Sequence, residues 1–182
     1  MTIGLDNAGR RFESMMTTVG GFPFVGDVQA MDEGKVPSYD YSDPRLILRV
    51  RHLCPVNTGS MIIDPAGRRF LLANHDAPSD YNQVHYRTHR LFHMATSVLW
   101  EREVQELDTL TKLQKGIGRQ ALANIWVLIE RVTREPPGGQ MGVKEQVRQV
   151  ITNEDIQLGD IIDKMVVKRL DTVLGVNLAE IQ

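Results

Sequence analysis

Three histidines recur at a spacing of four: His85, His89 and His93, inside HDAPSDYNQVHYRTHRLFH (75–93), which holds four of the five histidines of the chain. On a helix they would share a face and offer a metal three imidazoles. On an extended strand they share a face too, but each step is about 13 Å, too far for one ion. Pro78, Ser79 and Asp80 open the stretch as loop. No HExxH pattern occurs, and the histidines carry no supporting signature of a metal site. The stretch therefore reads as a polar loop with Tyr86, Arg87 and the histidines presented to a partner.

Two other groupings have chemical potential. His52 and Cys54 fall on one face of a strand, but Pro55 follows and nothing nearby would lower the thiol pKa. Cys54 reads instead as a small buried apolar residue. As the single cysteine it excludes an internal disulfide framework and a multi-cysteine zinc site. Asp64, Asp76 and Asp80 form a loose carboxylate set, with aspartates in turns, where they accept turn amides. There is no phosphate-cradling glycine loop and no G-x-S-x-G elbow. The weight falls on a binding or structural role, with no enzyme activity and no cofactor expected.

The elements that carry these residues are mostly short and β-like. The clearest is 57–74, NTGSMIIDPAGRRFLLAN. Two apolar runs, Met61–Ile63 and Phe70–Leu72, flank Asp64-Pro65-Ala66-Gly67, whose Pro presets φ and whose Gly accepts a positive one; this is a β-hairpin signature. Residues 45–53 alternate, with Leu46, Leu48 and Val50 on one face and Arg45, Arg49 and Arg51 on the other. The arginine face is either solvated or meets an acidic partner or nucleic acid. Residues 96–115 fit both a strand and a helix pattern, and the Asp/Thr-rich centre favours two strands. Gly116 and Gly118 then break the chain. Residues 124–134 read as a central strand and 147–151 as another. The tail reads as a hairpin of 165–170 and 176–181.

Three stretches read as irregular or extended. Residues 6–19 place Ala8, Phe12, Met15, Met16 and Val19 at helical spacing, predicting a short N-terminal helix that packs on the core or docks on a neighbouring subunit. Residues 20–44 are dense in Gly and Pro and read as an extended arm, with Phe22 and Phe24 tucked into a groove. EPPGGQMG (135–142) is an exposed loop.

The chain of 182 residues suggests one domain with an extension. The predicted division is an arm over 1–44 and a single β-barrel over 45–182 with loop insertions at 75–96 and 135–146. A net charge of −2 argues against broad nucleic-acid binding. No apolar run is long enough for a transmembrane helix, so no membrane partner is expected. The first residues lack the apolar centre of a signal peptide, so a cytoplasmic protein, or an assembly built in the cytoplasm, is expected.

One internal likeness stands out. Gly59-Ser60-Met61-Ile62-Ile63-Asp64 resembles Gly159-Asp160-Ile161-Ile162-Asp163 with one residue deleted, and a basic pair follows each, Arg68-Arg69 and Lys168-Arg169. Both have the form of a glycine turn leading into a buried strand, as in small barrels. With TGSMIIDPAGRRFLLANHD and ITNEDIQLGDIIDKMVVKRLDTVLGVNLAEI, about a third of the chain resembles the neck proteins of tailed bacteriophages: the head-completion, head-closure or stopper proteins. Asp64, Gly67, Arg68 and Phe70 fit a "D-x-x-G-R-x-[FY]" strand–turn–strand. Gly159, Asp160, Ile161, Ile162, Asp163, Val167 and Arg169 fit a late "GD-[IV]-[IV]-D…V-x-R" segment.

The resemblance implies a mainly β protein, a small SH3-like or similar barrel with long loops. It implies a homo-oligomeric ring in the virion neck, assembled in the host cytoplasm. Its partners would be a portal or adaptor protein, a tail terminator or tail tube protein, and genomic DNA passing non-specifically through the lumen. Candidate interface or lumen residues are Asp64, Pro65, Gly67, Arg68, His85, Tyr86, Arg87, His89, Phe22 and Phe24. The alternatives are another phage tail or baseplate subunit, or a metal-binding enzyme using the 75–93 histidines.

Overall fold

The computed structural model of the chain describes residues 13–30, 46–74, 86–107, 114–134 and 145–182. These residues form twelve strands and two closed barrels. The first barrel contains β1 (Ser14–Thr18), β2 (Pro23–Ala30), β3 (Leu46–Arg51), β4 (Met61–Ile63), β5 (Arg69–Ala73) and β6 (Tyr86–His93). Around its circumference they run β1-β2-β3-β6-β5-β4. The second contains β7 (Thr96–Leu107), β8 (Gln114–Arg134), β9 (Glu145–Thr152), β10 (Ile161–Ile162), β11 (Met165–Val173) and β12 (Val176–Ile181). Adding six to each strand number of the first circuit gives the second, β7-β8-β9-β12-β11-β10. The compact units are Met1–Met94 with Val173–Val176, and Ala95–Thr172 with Asn177–Gln182.

The likeness extends to register. Met16 faces Phe24 across β1–β2, and Val98 faces Ile125 across β7–β8. Val28 faces Leu48, and Ile129 faces Val150. Leu48 faces His89, and Val150 faces Ala179. Met61 faces Leu71, and Ile161 faces Val166. Each core is built from these matched positions: Met16, Phe24, Leu48, Val56, Ile62, Leu72 and Leu91 in one, and Val98, Ile125, Val150, Ile156, Ile162, Val167 and Ile181 in the other. Burying side chains of this kind is worth about 1.5–3 kcal/mol each, so each barrel carries its own driving force.

The expectations meet this architecture unevenly. A mainly β chain with a closed antiparallel barrel is what forms. Among the described residues, strands form within each stretch expected to hold them, 45–53, 57–74, 96–115, 124–134 and 147–151, and in the tail hairpin. The single barrel expected over 45–182 gives way to two, because β6 is a wall of the first and β7, β8 and β9 are walls of the second rather than an excursion from one. Residues 14–18 of the expected N-terminal helix are strand: Met16 inserts into the core beside Phe24 while Met15 points out, a period of two rather than 3.6. Residues 6–12 lie outside the described residues, as does the 135–142 loop. Pro23–Ala30, expected to be irregular, is a strand whose Pro stands first, where no ladder donor is needed. Gly116 and Gly118 do not break the chain; they lie inside β8.

Candidate interaction surfaces

The glycine corner recurs in both barrels with the same hydrogen bonds. In the first barrel Ser60 N–H donates to Asn57 C=O at 3.0 Å, and Gly59 N–H donates to Leu72 C=O at 2.8 Å. Leu72 N–H returns to Ser60 C=O at 3.0 Å. In the second, Asp160 N–H donates to Gln157 C=O at 3.1 Å, and Gly159 N–H donates to Val167 C=O at 3.0 Å. Val167 N–H returns to Asp160 C=O at 2.8 Å. Gly59 and Gly159 have φ of 84° and 88°, a conformation that favours glycine. The side chain after each glycine accepts the N–H that opens the turn: Asn57 N–H to Ser60 Oγ at 3.2 Å, Gln157 N–H to Asp160 Oδ2 at 2.9 Å.

Asp160 does more than cap. It is 1 % exposed, accepts Arg102 Nε at 2.6 Å and Nη2 at 2.8 Å, and accepts Trp100 Nε1 at 2.9 Å. The Arg102 guanidinium also lies 5.6 Å from the Trp100 ring centroid. Burial pushes the carboxyl pKa up, but the hydrogen bonds from Arg102, Gln157 N–H and Trp100, with the Arg102 charge, bring it below its ordinary 3.8.

In the first barrel Asp64, at a different place in the repeat, staples the DPAG turn. Its Oδ1 accepts the N–H groups of Ala66 at 3.0 Å and Arg68 at 2.8 Å, and its Oδ2 accepts Arg68 Nε at 2.7 Å. Burial raises its pKa; the Arg68 N–H, the Arg68 side chain and charge, and the Ala66 N–H more than offset this and lower it below 3.8. Pro65, Gly67 and Arg68 are exposed at the tip, and Gly67 takes φ 82°.

The remaining expected site residues separate. Phe24 is in the first core and is not surface; Phe22, two residues earlier, is 49 % exposed. Tyr86 is half-buried at the start of β6. Arg87 ties the first barrel internally, donating to the carbonyls of Cys54 and Val56 and to Asn57 Oδ1. His89 is buried in β6 opposite Leu48, and His93 is exposed beside the Phe70 ring. His85 lies outside the described residues. Because 86–93 is strand, His89 and His93 stand about 13 Å apart, and among the described residues no three His, Cys, Asp or Glu side chains are grouped to hold a metal. Cys54 packs against the first core while His52 is exposed. Of the strand arginines, Arg51 reaches Glu13 at 3.4 Å and Arg49 faces Asp27 across the sheet.

Among the described residues, three outward-facing surfaces bear on the question of partners. At the β1–β2 hairpin, Met15 and Val25 are cross-strand neighbours, both exposed, with Val19 and Phe22 at the turn. These four side chains form the apolar group at this tip and are a candidate interaction surface. In the second barrel, β7 and β8 continue as a two-stranded ribbon through Leu107 and Gln114 after a bulge, where Trp100 pairs with Ala123 but Glu101 with Ala121, leaving Leu122 extra. On this ribbon Gly116 takes no positive φ and has open space where a Cβ would stand, and Ile117 is 67 % exposed. The third surface is a shallow cavity of about 210 Å³ lined by Arg131, Gln146, Val147 and Arg148. The sequence reading missed these arginines, because their meeting depends on the β8–β9 register. No family model, curated protein or solved structure matches the chain at a significant level.

Proposed function

We propose that this chain is a structural subunit of a tailed-bacteriophage neck: a protein that assembles into a ring between portal or adaptor and tail and helps close the DNA-filled head. The observation that carries this reading is the repeated corner. The two segments whose residues resemble head-closure proteins take equivalent places, one in each barrel, with the same four hydrogen bonds. The finer assignment of each barrel as SH3-like belongs to the same reading.

Ring formation needs surfaces that join head to tail without closing as a dimer. The apolar β1–β2 tip and the β7–β8 ribbon are suited to that use. A ribbon of two strands is marginal by itself, and a strand glycine with open space above it permits close approach of another backbone. DNA would pass through the ring lumen without base readout, and portal and tail-tube proteins would be the axial partners.

Mass photometry of the purified protein, alone and mixed with portal rings of the same phage, tests this. A discrete multimer, or a mass step on the portal ring, is the expected result. A persistent monomer at micromolar concentration that adds no mass to portal rings overturns it. Phe22→Ser is expected to lower ring or portal occupancy at least tenfold while leaving the melting temperature within about 2 °C, since exposed substitutions cost within about 0.5 kcal/mol.

A further inference from the structure

We propose that the β8–β9 pair of the second barrel carries an oxyanion site in which Arg131 and Arg148 together hold one dianionic phosphate group. The two arginines face each other directly across β8 and β9. Like charges in that position oppose sheet formation, so the pairing calls for an anion. Among the described residues no carboxylate forms an ion pair with either arginine. Among the described residues the Arg148 side chain donates to the Met165 sulfur, at 3.4 Å, a weak acceptor. Between them lies the cavity of about 210 Å³, with Gln146 as a neutral donor at its side.

The first barrel supplies the comparison. Its equivalent cross-strand pair is Ala30 and Leu46, one step beyond the matched pairs Val28–Leu48 and Ile129–Val150. An apolar pair therefore satisfies the fold at this position, and the arginines of the second barrel answer to something else. Two guanidinium forks match a phosphate that carries two charges and several acceptor oxygens. A single carboxylate would leave one arginine uncompensated. The assignment does not depend on the neck reading. The phosphate is either free inorganic phosphate or a terminal phosphomonoester, such as the 5′ end of a DNA strand.

The test is calorimetric titration and thermal unfolding of the full chain at pH 7.5 with inorganic phosphate, against chloride at equal ionic strength. Phosphate is expected to bind with a stoichiometry of one and to raise the melting temperature by several degrees at saturation. Arg131→Gln and Arg148→Gln are each expected to weaken binding at least tenfold. Both variants should melt at or above the wild-type temperature in phosphate-free buffer, because each removes the repulsion. Arg119→Gln, on the ribbon, should bind as wild type. A shift equal to that in chloride, or an equal loss in Arg119→Gln, overturns the site. Competition with 5′-phosphorylated and 5′-hydroxyl oligonucleotides of one sequence distinguishes the sources. Competition by the phosphorylated strand alone identifies a terminal phosphate. Competition by neither identifies the free ion. Equal competition by both refutes recognition of a dianion.

Discussion

Asp160 shows how a residue with an ordinary turn role becomes a stability determinant. Its carboxylate sits among four donors from Trp100, Arg102 and Gln157, so its folded pKa lies below the unfolded value of about 3.9. The sign follows: the stabilisation is fully present above about pH 4 and is lost as pH falls through the folded pKa. Asp160→Asn keeps the shape but leaves Arg102 beside a neutral group, at an expected cost of about 2–3 kcal/mol at pH 7. Urea unfolding at pH 7 and at pH 2.5 should show wild type losing more stability on acidification than the variant. Equal pH slopes would contradict the assignment. The Gly-Asp pair was legible in the sequence as the start of a buried strand. Its partners Trp100 and Arg102, some sixty residues away, were not, because that contact is made by the β7–β10 pairing.

At the scale of elements, the two barrels solve one packing problem in two ways. Gly26 in β2 occupies the place of Val127 in β8. A Cβ added at Gly26 would stand 2.8 Å from Leu48 Cδ1, whereas beside Val127 the Leu48 place is taken by the smaller Val150. The volume has moved from one strand to its neighbour. Gly26→Ala is therefore expected to cost about 1–3 kcal/mol by overpacking, and adding Leu48→Val should recover part of that loss, a non-additivity readable in a double-mutant cycle of urea midpoints. Strictly additive losses would mean that Leu48 is not the obstacle. Strand patterns with one clear polar face, such as 45–53, were legible, and so was the DPAG hairpin. The N-terminal strand was not: Met15, Met16 and Val19 fit a helical stripe, and only pairing with β2 and β4 selects the extended form. The strand at Tyr86–His93 was missed for a related reason, since its buried residues, His89 to Phe92, include His89 and Arg90 and read as polar loop.

At the scale of the molecule, the sequence held the duplication only as one six-residue likeness, because the matched core positions keep apolar character without keeping identity; Phe24 answers to Ile125, and Leu48 to Val150. Loop lengths also differ. Seven residues separate Ile62 from Phe70, while two, Asp163 and Lys164, both at positive φ, separate Ile162 from Met165. Such divergence hides a shared circuit that register makes plain. Two cores imply two units of local stability. Leu48→Ala should cost about 2–5 kcal/mol and Val150→Ala somewhat less, and hydrogen exchange under native conditions should place each loss. Leu48→Ala is expected to speed exchange in β1–β6 while β7–β10 stay protected, and Val150→Ala the reverse. The Val173–Val176 turn is the discriminating reporter. It groups with the first unit, where Asn74 N–H donates to Leu174 C=O at 2.7 Å, and the added Cβ of any other residue at Gly175 would stand 2.6 Å from Asn74 Nδ2. Its amides should follow Leu48→Ala although they join strands of the second barrel. Uniform deprotection of both barrels by either substitution would show a single cooperative unit instead.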